Sequence, residues 1–223
     1  MKLSEVSMWG VSNMQINQEP KVEKKLLQVG FLASHGGSNM KSIVEAIKVG
    51  SLSANASVVI SNNSNSEALK FGRREGVPSY HISNNTINDS TKLDLHIRDT
   101  LVKHGVDLVI LSGYLKKIGP KTLEAFSGRI INIHPSLLPK YGGKGMYGNN
   151  VHKVVLGARE TVTGVTVHII DEVYDKGKIL AQRKVDVLKH DSVHSLAKRV
   201  FHCEKQFLPE VIQSIHFGNI KLP

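Results

Sequence analysis

Leu26 to Gly50 reads LLQVGFLASHGGSNMKSIVEAIKVG, and its pattern changes once, at a pair of glycines. Residues 26–33 form a short apolar run of the kind carried by a strand buried on both faces. Residues 39–50 instead place Met40, Ile43, Val44 and Ile47 at helical spacing, with Gly50 as the stop. His35-Gly36-Gly37-Ser38 between them is a turn that sends the chain straight from strand into helix. The rhythm then repeats. Strands are predicted at 56–62, 78–82, 107–113 and 129–135, and helices at 66–76, at 91–105 and over the short KTLEAFSG stretch. Such alternation specifies an α/β fold with a doubly wound, mostly parallel central sheet. Near residue 160 the rhythm shifts. TGVTVHIID (163–171) and KILAQRKVDV (178–187) are strands with only a few residues between them, so they pair as an antiparallel hairpin. A long helix over 192–217 closes the chain. Residues 1–25 follow neither period and contain Trp9, the only tryptophan. They are expected to be an extension, with 26–223 forming one domain.

Composition narrows the setting. The chain has 223 residues, with 29 Lys+Arg against 19 Asp+Glu for a net charge of +10. That excess favours anionic partners, from nucleic acid to phosphorylated metabolites. An aromatic content of 5% argues against a nucleic-acid binder that works by stacking. No apolar run approaches the roughly 18–20 residues that span a bilayer. The N-terminal stretch lacks an apolar signal block, and Glu5, Glu19 and Glu23 are unlike a transit peptide. A cytoplasmic protein without a membrane partner is expected. Cys203 is the single cysteine, which excludes an internal disulfide and a CxxC metal site.

Four constellations carry possible chemistry. In Ser34-His35-Gly36-Gly37-Ser38-Asn39 two glycines let the backbone approach an anion, and the following helix N-terminus presents free N–H groups. The same residues also read as a plain turn in which Ser38 or Asn39 caps the helix. In Asn132-Ile133-His134-Pro135, alternate residues share a strand face, so Asn132 and His134 project together from the carboxyl end of a parallel strand. Open α/β sheets bind their ligands at that edge. An Asn amide there suits a developing oxyanion, and a His supplies a proton near neutral pH. In Asp171-Glu172-Val173-Tyr174-Asp175, three carboxylates crowd the hairpin connection; Asp175 could stabilise the His134 imidazolium, or the cluster could be only an acidic turn. His168 on the incoming strand is a weaker candidate. Finally, Arg129 to Arg159 contains no Asp or Glu but holds Arg129, Lys140, Lys144, Lys153 and Arg159. Its centre, KYGGKGMYGNN, reads as a loop that binds an anion, closes as a flap, or is merely solvated.

From about 27 to 212 the chain resembles the phosphoribosylglycinamide formyltransferase family of folate-dependent formyltransferases. The motifs stand in family order: GGSNM (36–40), DLVILSGYLKKIGP (107–120), INIHPSLLPKYGGKGMYG (131–148) and GVTVHIIDEVYDKGKILAQ (164–182). The resemblance implies the Rossmann-like formyltransferase fold and formyl transfer from 10-formyltetrahydrofolate to the amine of glycinamide ribonucleotide, a step of purine synthesis. It implies two small-molecule partners, no nucleic acid, no metal, and a monomer or homodimer. It makes Asn132, His134 and Asp175 catalytic and gives the substrate phosphate to Gly37, Ser38 and Asn39. Glu204 would hold the ribose, and Leu115, Lys116, Ile118, Ile170 and Glu172 would line the folate pocket.

Departures from the pattern fall beside these positions. His35 stands where many members have Gly, Lys116 where Arg is frequent, and Lys205 where His is frequent. A Lys makes a point-charge contact where Arg would make a bidentate one. Rival readings are a formyltetrahydrofolate deformylase, a sugar-nucleotide formyltransferase and, outside enzymes, a basic nucleic-acid-binding module. A methionyl-tRNA formyltransferase is expected to carry a further C-terminal domain.

Overall fold

The computed structural model describes residues 25–171, 173 and 175–223. The predicted extension lies almost wholly outside the described residues. The elements in order are β1 (Leu27–Ala33), α1 (Ser38–Lys48), β2 (Ala54–Ser61), α2 (Glu67–Arg74), β3 (Ser79–His81), α3 (Ser90–Lys103) and β4 (Leu108–Leu111). They continue with α4 (Pro120–Ala125), β5 (Ile130–His134), α5 (Asn149–Gly157), β6 (Val162–Ile169), β7 (Ile179–Asp186) and α6 (Val193–His216). The seven strands form one sheet in the order β3-β2-β1-β4-β5-β6-β7. The first five run parallel; β6 is antiparallel to both β5 and β7. The expected α/β architecture, late hairpin and closing helix are all present.

The central strands β1 and β4 are almost continuously apolar because both of their faces are covered. Val29, Phe31 and Ala33 of β1 join Leu108 and Ile110 of β4 in one core cluster, with α1, α5 and α6 packed on it. Leu32, Val109 and Leu111, the alternate residues, join a second cluster with Ile97 and Leu101 of α3. Alternation on a pleated strand thus divides each strand between two cores. Strand order reverses around β1, whose neighbours are β2 and β4. The crevice between the carboxyl ends of β1 and β4 is therefore the switch point, where ligands of such sheets lie.

The main element missing from the sequence reading is α5, which takes the last two residues of the stretch read as a glycine-rich loop and runs on beyond it. Only Val151, His152 and Val155 of it are buried, too narrow an apolar stripe to stand out beside the preceding glycines. The expected cap of α1 also differs. Its N-cap is Gly37, in the left-handed conformation with no side-chain capping bond, so neither Ser38 nor Asn39 caps the helix.

The wall that follows β4 is anchored from α3. The buried carboxylate of Asp94 accepts the Lys121 amide at 2.7 Å, the Thr122 amide at 3.1 Å and the Thr122 hydroxyl at 2.5 Å. It serves the first turn of α4 as a cap supplied from a distant helix. Asp94→Ala should cost about 2–4 kcal/mol, since the bonds are charge-assisted and the amides are left buried. Urea denaturation measures this, and a loss below about 0.5 kcal/mol would remove Asp94 as the anchor.

Candidate functional site

A cleft of about 920 Å³ opens over the carboxyl ends of the parallel strands. Ser38 and Asn39 border it at the α1 end, and Leu115, Lys116 and Ile118 on the segment after β4. Asn132 and His134 stand at the tip of β5, Ile170 and Asp175 in the hairpin connection, and Glu204 on α6. Of the residues singled out in the sequence, Gly37 lies behind this surface rather than on it, and Glu172 lies outside the described residues.

His134 is 3% exposed. Its Nε2–H donates to the Tyr141 carbonyl at 2.8 Å, which fixes where that proton sits. Nδ1 lies 3.7 Å from Asp175 Oδ2. That is too long for a hydrogen bond and close enough to stabilise a charged ring. Asp175 in turn accepts the Gly143 amide at 2.7 Å through the same oxygen. Both residues that bring these groups together hold a left-handed backbone, Tyr141 with φ 58° and Asp175 with φ 55°. Non-glycine residues adopt it only when their surroundings demand it. For Tyr141 the demand includes its hydroxyl, which donates to Glu160 Oε1 at 2.7 Å.

His168, the weaker candidate in the sequence, belongs to this group. It faces Asn132 across the β5–β6 ladder and is fully buried. Its Nδ1–H donates to the Ile169 carbonyl at 3.0 Å, leaving Nε2 to receive the Asn132 amide at 3.4 Å. Asp175 Oδ1 is 3.5 Å from the same nitrogen. Burial holds the His168 pKa below its ordinary value despite the opposing pull of Asp175. His152 on α5 also lines the cleft, with its pKa lowered first by burial and then by His134. Nothing in the sequence pattern marked it, because α5 itself was hidden.

At the α1 end, Gly37 has φ 62°, and a Cβ there would stand 2.8 Å from the Ala68 side chain, so glycine is required twice over. The Met40 amide is held by Ser112 Oγ at 2.9 Å. Among the described residues the Ser38 and Asn39 amides have no protein acceptor, and Asn39 Oδ1 is buried without a partner. Free amides at the positive end of a helix make an anion seat. Glu204 nearby is pushed up to about 8 by burial alone, so near neutral pH its carboxyl can donate as well as accept.

The opposite half is apolar and open. Leu115, Tyr147 and Val173 line it while each remains more than half exposed. Exposed apolar side chains gathered round one cleft are a feature of ligand sites. The carboxylate-free stretch contributes less charge to the cleft than its composition suggested. Lys144 lines it, but Lys140 is paired with Glu160, and Arg129 donates to the Asp107 and Ala125 carbonyls at the far end of β5.

Comparison with known proteins agrees with this arrangement. Residues 27–212 match the family described as formyl transferase. A chloroplastic phosphoribosylglycinamide formyltransferase of Vigna unguiculata is 41% identical over 201 residues, covering 90% of this chain and 64% of that protein. The chain thus spans just under two thirds of that relative's length. The phosphoribosylglycinamide formyltransferase of Haemophilus influenzae is 33% identical over 195 residues, 87% of this chain and 90% of that one. Among solved structures, glycinamide ribonucleotide transformylase 1 of Symbiobacterium toebii superposes with a TM-score of 0.81 at 31% identity, covering 89% of this chain and 94% of that chain.

The two depressed histidines set an acid limit on stability. Each binds its proton less readily folded than unfolded, so their contribution is complete above the ordinary His value of 6.5 and is lost as the pH falls below it. Melting temperature should therefore drop between about pH 6.5 and 5, and His168→Gln should flatten that drop. An unchanged slope in the variant would show that His168 is not a source of it.

Proposed function

The chain belongs to the formyl transferase family, and on that premise we propose that it transfers the formyl group of 10-formyltetrahydrofolate to the amine of glycinamide ribonucleotide. The observation that carries the reading is the division of one cleft around Asn132, His134 and Asp175. An anion seat and a carboxyl on α6 stand at one end, and an apolar wall stands at the other. A phosphorylated ribosyl amine suits the first half and a folate suits the second, with their reacting atoms meeting between. The named relatives support the choice of substrates.

In this proposal the substrate phosphate sits on the Ser38 and Asn39 amides that follow Gly37, and Glu204 receives the ribose hydroxyls. Leu115, Ile118 and Ile170 hold the folate ring system, and Lys116 meets its glutamate carboxylate as a point charge. Glu172 is assigned to the same wall on resemblance alone. The amine attacks the formyl carbon, and the carbonyl oxygen takes up negative charge. Asn132 has one amide N–H on neutral His168, which leaves the other to donate to that oxygen. The charged His134 donates through Nδ1, because Nε2–H is already committed to Tyr141. Asp175 stabilises the imidazolium without capturing its Nδ1 proton, and assists the proton from the attacking nitrogen to N10 of the folate through water. Collapse of the tetrahedral intermediate breaks the bond from carbon to N10, giving the N-formyl product and tetrahydrofolate. No covalent intermediate on the enzyme is needed.

In a spectrophotometric assay with both substrates, His134→Ala and Asp175→Asn should each lower kcat by about 10²-fold or more. Near-normal turnover in folded His134→Ala would contradict the assignment. Ser38→Ala keeps the amide but removes the hydroxyl, a second donor beside the same seat, and should mainly raise KM for the phosphorylated amine. Folate deformylation at the same rate without the amine would instead identify a hydrolase.

A further inference from the structure

Two buried serines outside the proposed chemistry connect the halves of the cleft in a crossed fashion. Ser34 is the first residue after β1 and leads into the turn before α1; Ser112 is the first after β4 and leads into the apolar wall. Each is 1% exposed. The Ser34 hydroxyl does not serve its own turn: it accepts the Leu115 amide of the opposite wall at 2.8 Å. The Ser112 hydroxyl does not serve its own wall: it accepts the Met40 amide of α1 at 2.9 Å. Ser34 also donates its one proton to Asn62 Oδ1 at 2.6 Å, at the end of β2. A hydroxyl has one proton and two lone pairs, so Asn62 turns a lone pair of Ser34 toward Leu115. Backbone bonds from Ser34 to Gly113 O and from Ser112 to Leu32 O keep the strand ends adjacent, leaving the hydroxyls to set the loops beyond them.

We propose that Ser34 and Ser112 are positioning residues that work crosswise: Ser112 sets the anion seat at the start of α1, and Ser34, oriented by Asn62, sets the Leu115 wall. The proposal rests on the assignment of the phosphate to α1 and of the folate to that wall. Met40 is the third residue of α1, so fixing its amide fixes the direction of the Ser38 and Asn39 amides before it. Leu115 is exposed and apolar, so its backbone anchor decides where its side chain stands. Neither serine needs to touch a ligand.

The test is equilibrium titration of the full chain with ribose 5-phosphate and, separately, with 5-formyltetrahydrofolate, which offers no group for transfer from N10. Ser112→Ala should weaken ribose 5-phosphate about fivefold, the worth of one net hydrogen bond, and leave the folate within about twofold. Ser34→Ala should do the reverse. Asn62→Ala, which leaves the Ser34 hydroxyl in place, should repeat the Ser34→Ala pattern. Circular dichroism establishes folding; if an alanine variant does not fold, the cysteine variant of near-equal volume and weak acceptor strength replaces it. Loss confined to the ligand on each serine's own side, equal loss of both ligands, or no loss would overturn the crossed arrangement. If the wild-type chain binds neither probe, the substrate assignment fails, and this proposal with it.

Discussion

The carboxylate of Asp175 is shared by three segments: the tip of β5, the glycine-rich stretch after it, and the connection between β6 and β7. Its Oδ2 takes the Gly143 amide and faces His134, while Oδ1 faces His168. The Gly143 bond is charge-assisted, a class worth about 1.5–3 kcal/mol net. It holds residues 141–143 where the Tyr141 carbonyl can take the Nε2 proton of His134. The side chain is mostly buried, at 14% exposure, so these contacts are little weakened by solvent. Remove the carboxylate, and the ring that it faces loses both its counter-charge and the loop that sets its tautomer.

From that point the two ends of the cleft follow from different physics. At the α1 end, the proposed recognition is built from backbone: a left-handed glycine, free amides and a helix dipole, with a neighbouring carboxyl whose pKa burial pushes up to about 8. At the other end, recognition is built from apolar area left uncovered by the fold, with lysines at the margin. The net charge of +10 seen at the outset bears on this cleft through few residues. Two cations of the carboxylate-free stretch, Lys140 and Arg129, are spent on Glu160 and on backbone carbonyls.

Much of the architecture was legible because strands buried on both faces are apolar without interruption, and because the turns between strand and helix are short. Asn132 and His134 could be paired from the two-residue period alone. Their relation to Asp175 could not, since it depends on the β5–β6–β7 pairing and on a left-handed residue in the connection. The helix α5 escaped because its buried stripe is narrow and follows glycines, and His152 escaped with it. His168 was visible as a residue but not as the partner of Asn132, a fact fixed by strand register. The requirement for Gly37 was half legible: the turn asks for glycine, but the approach of Ala68 appears only when α2 is packed against α1. The hydroxyls of Ser34 and Ser112 were invisible in the sequence, because what matters about them is which distant amide each one meets.

In the proposed mechanism the oxygen of the transferred group is held between Asn132 and the Nδ1 side of His134. A crystal structure with glycinamide ribonucleotide and a folate analogue carrying a hydrated, non-transferable aldehyde in place of the formyl group tests it directly. One oxygen of the hydrate should lie within about 3 Å of both Asn132 Nδ2 and His134 Nδ1, with Nε2 still on the Tyr141 carbonyl. A hydrate oxygen bound at Nε2, or a ring turned away from Tyr141, would contradict it.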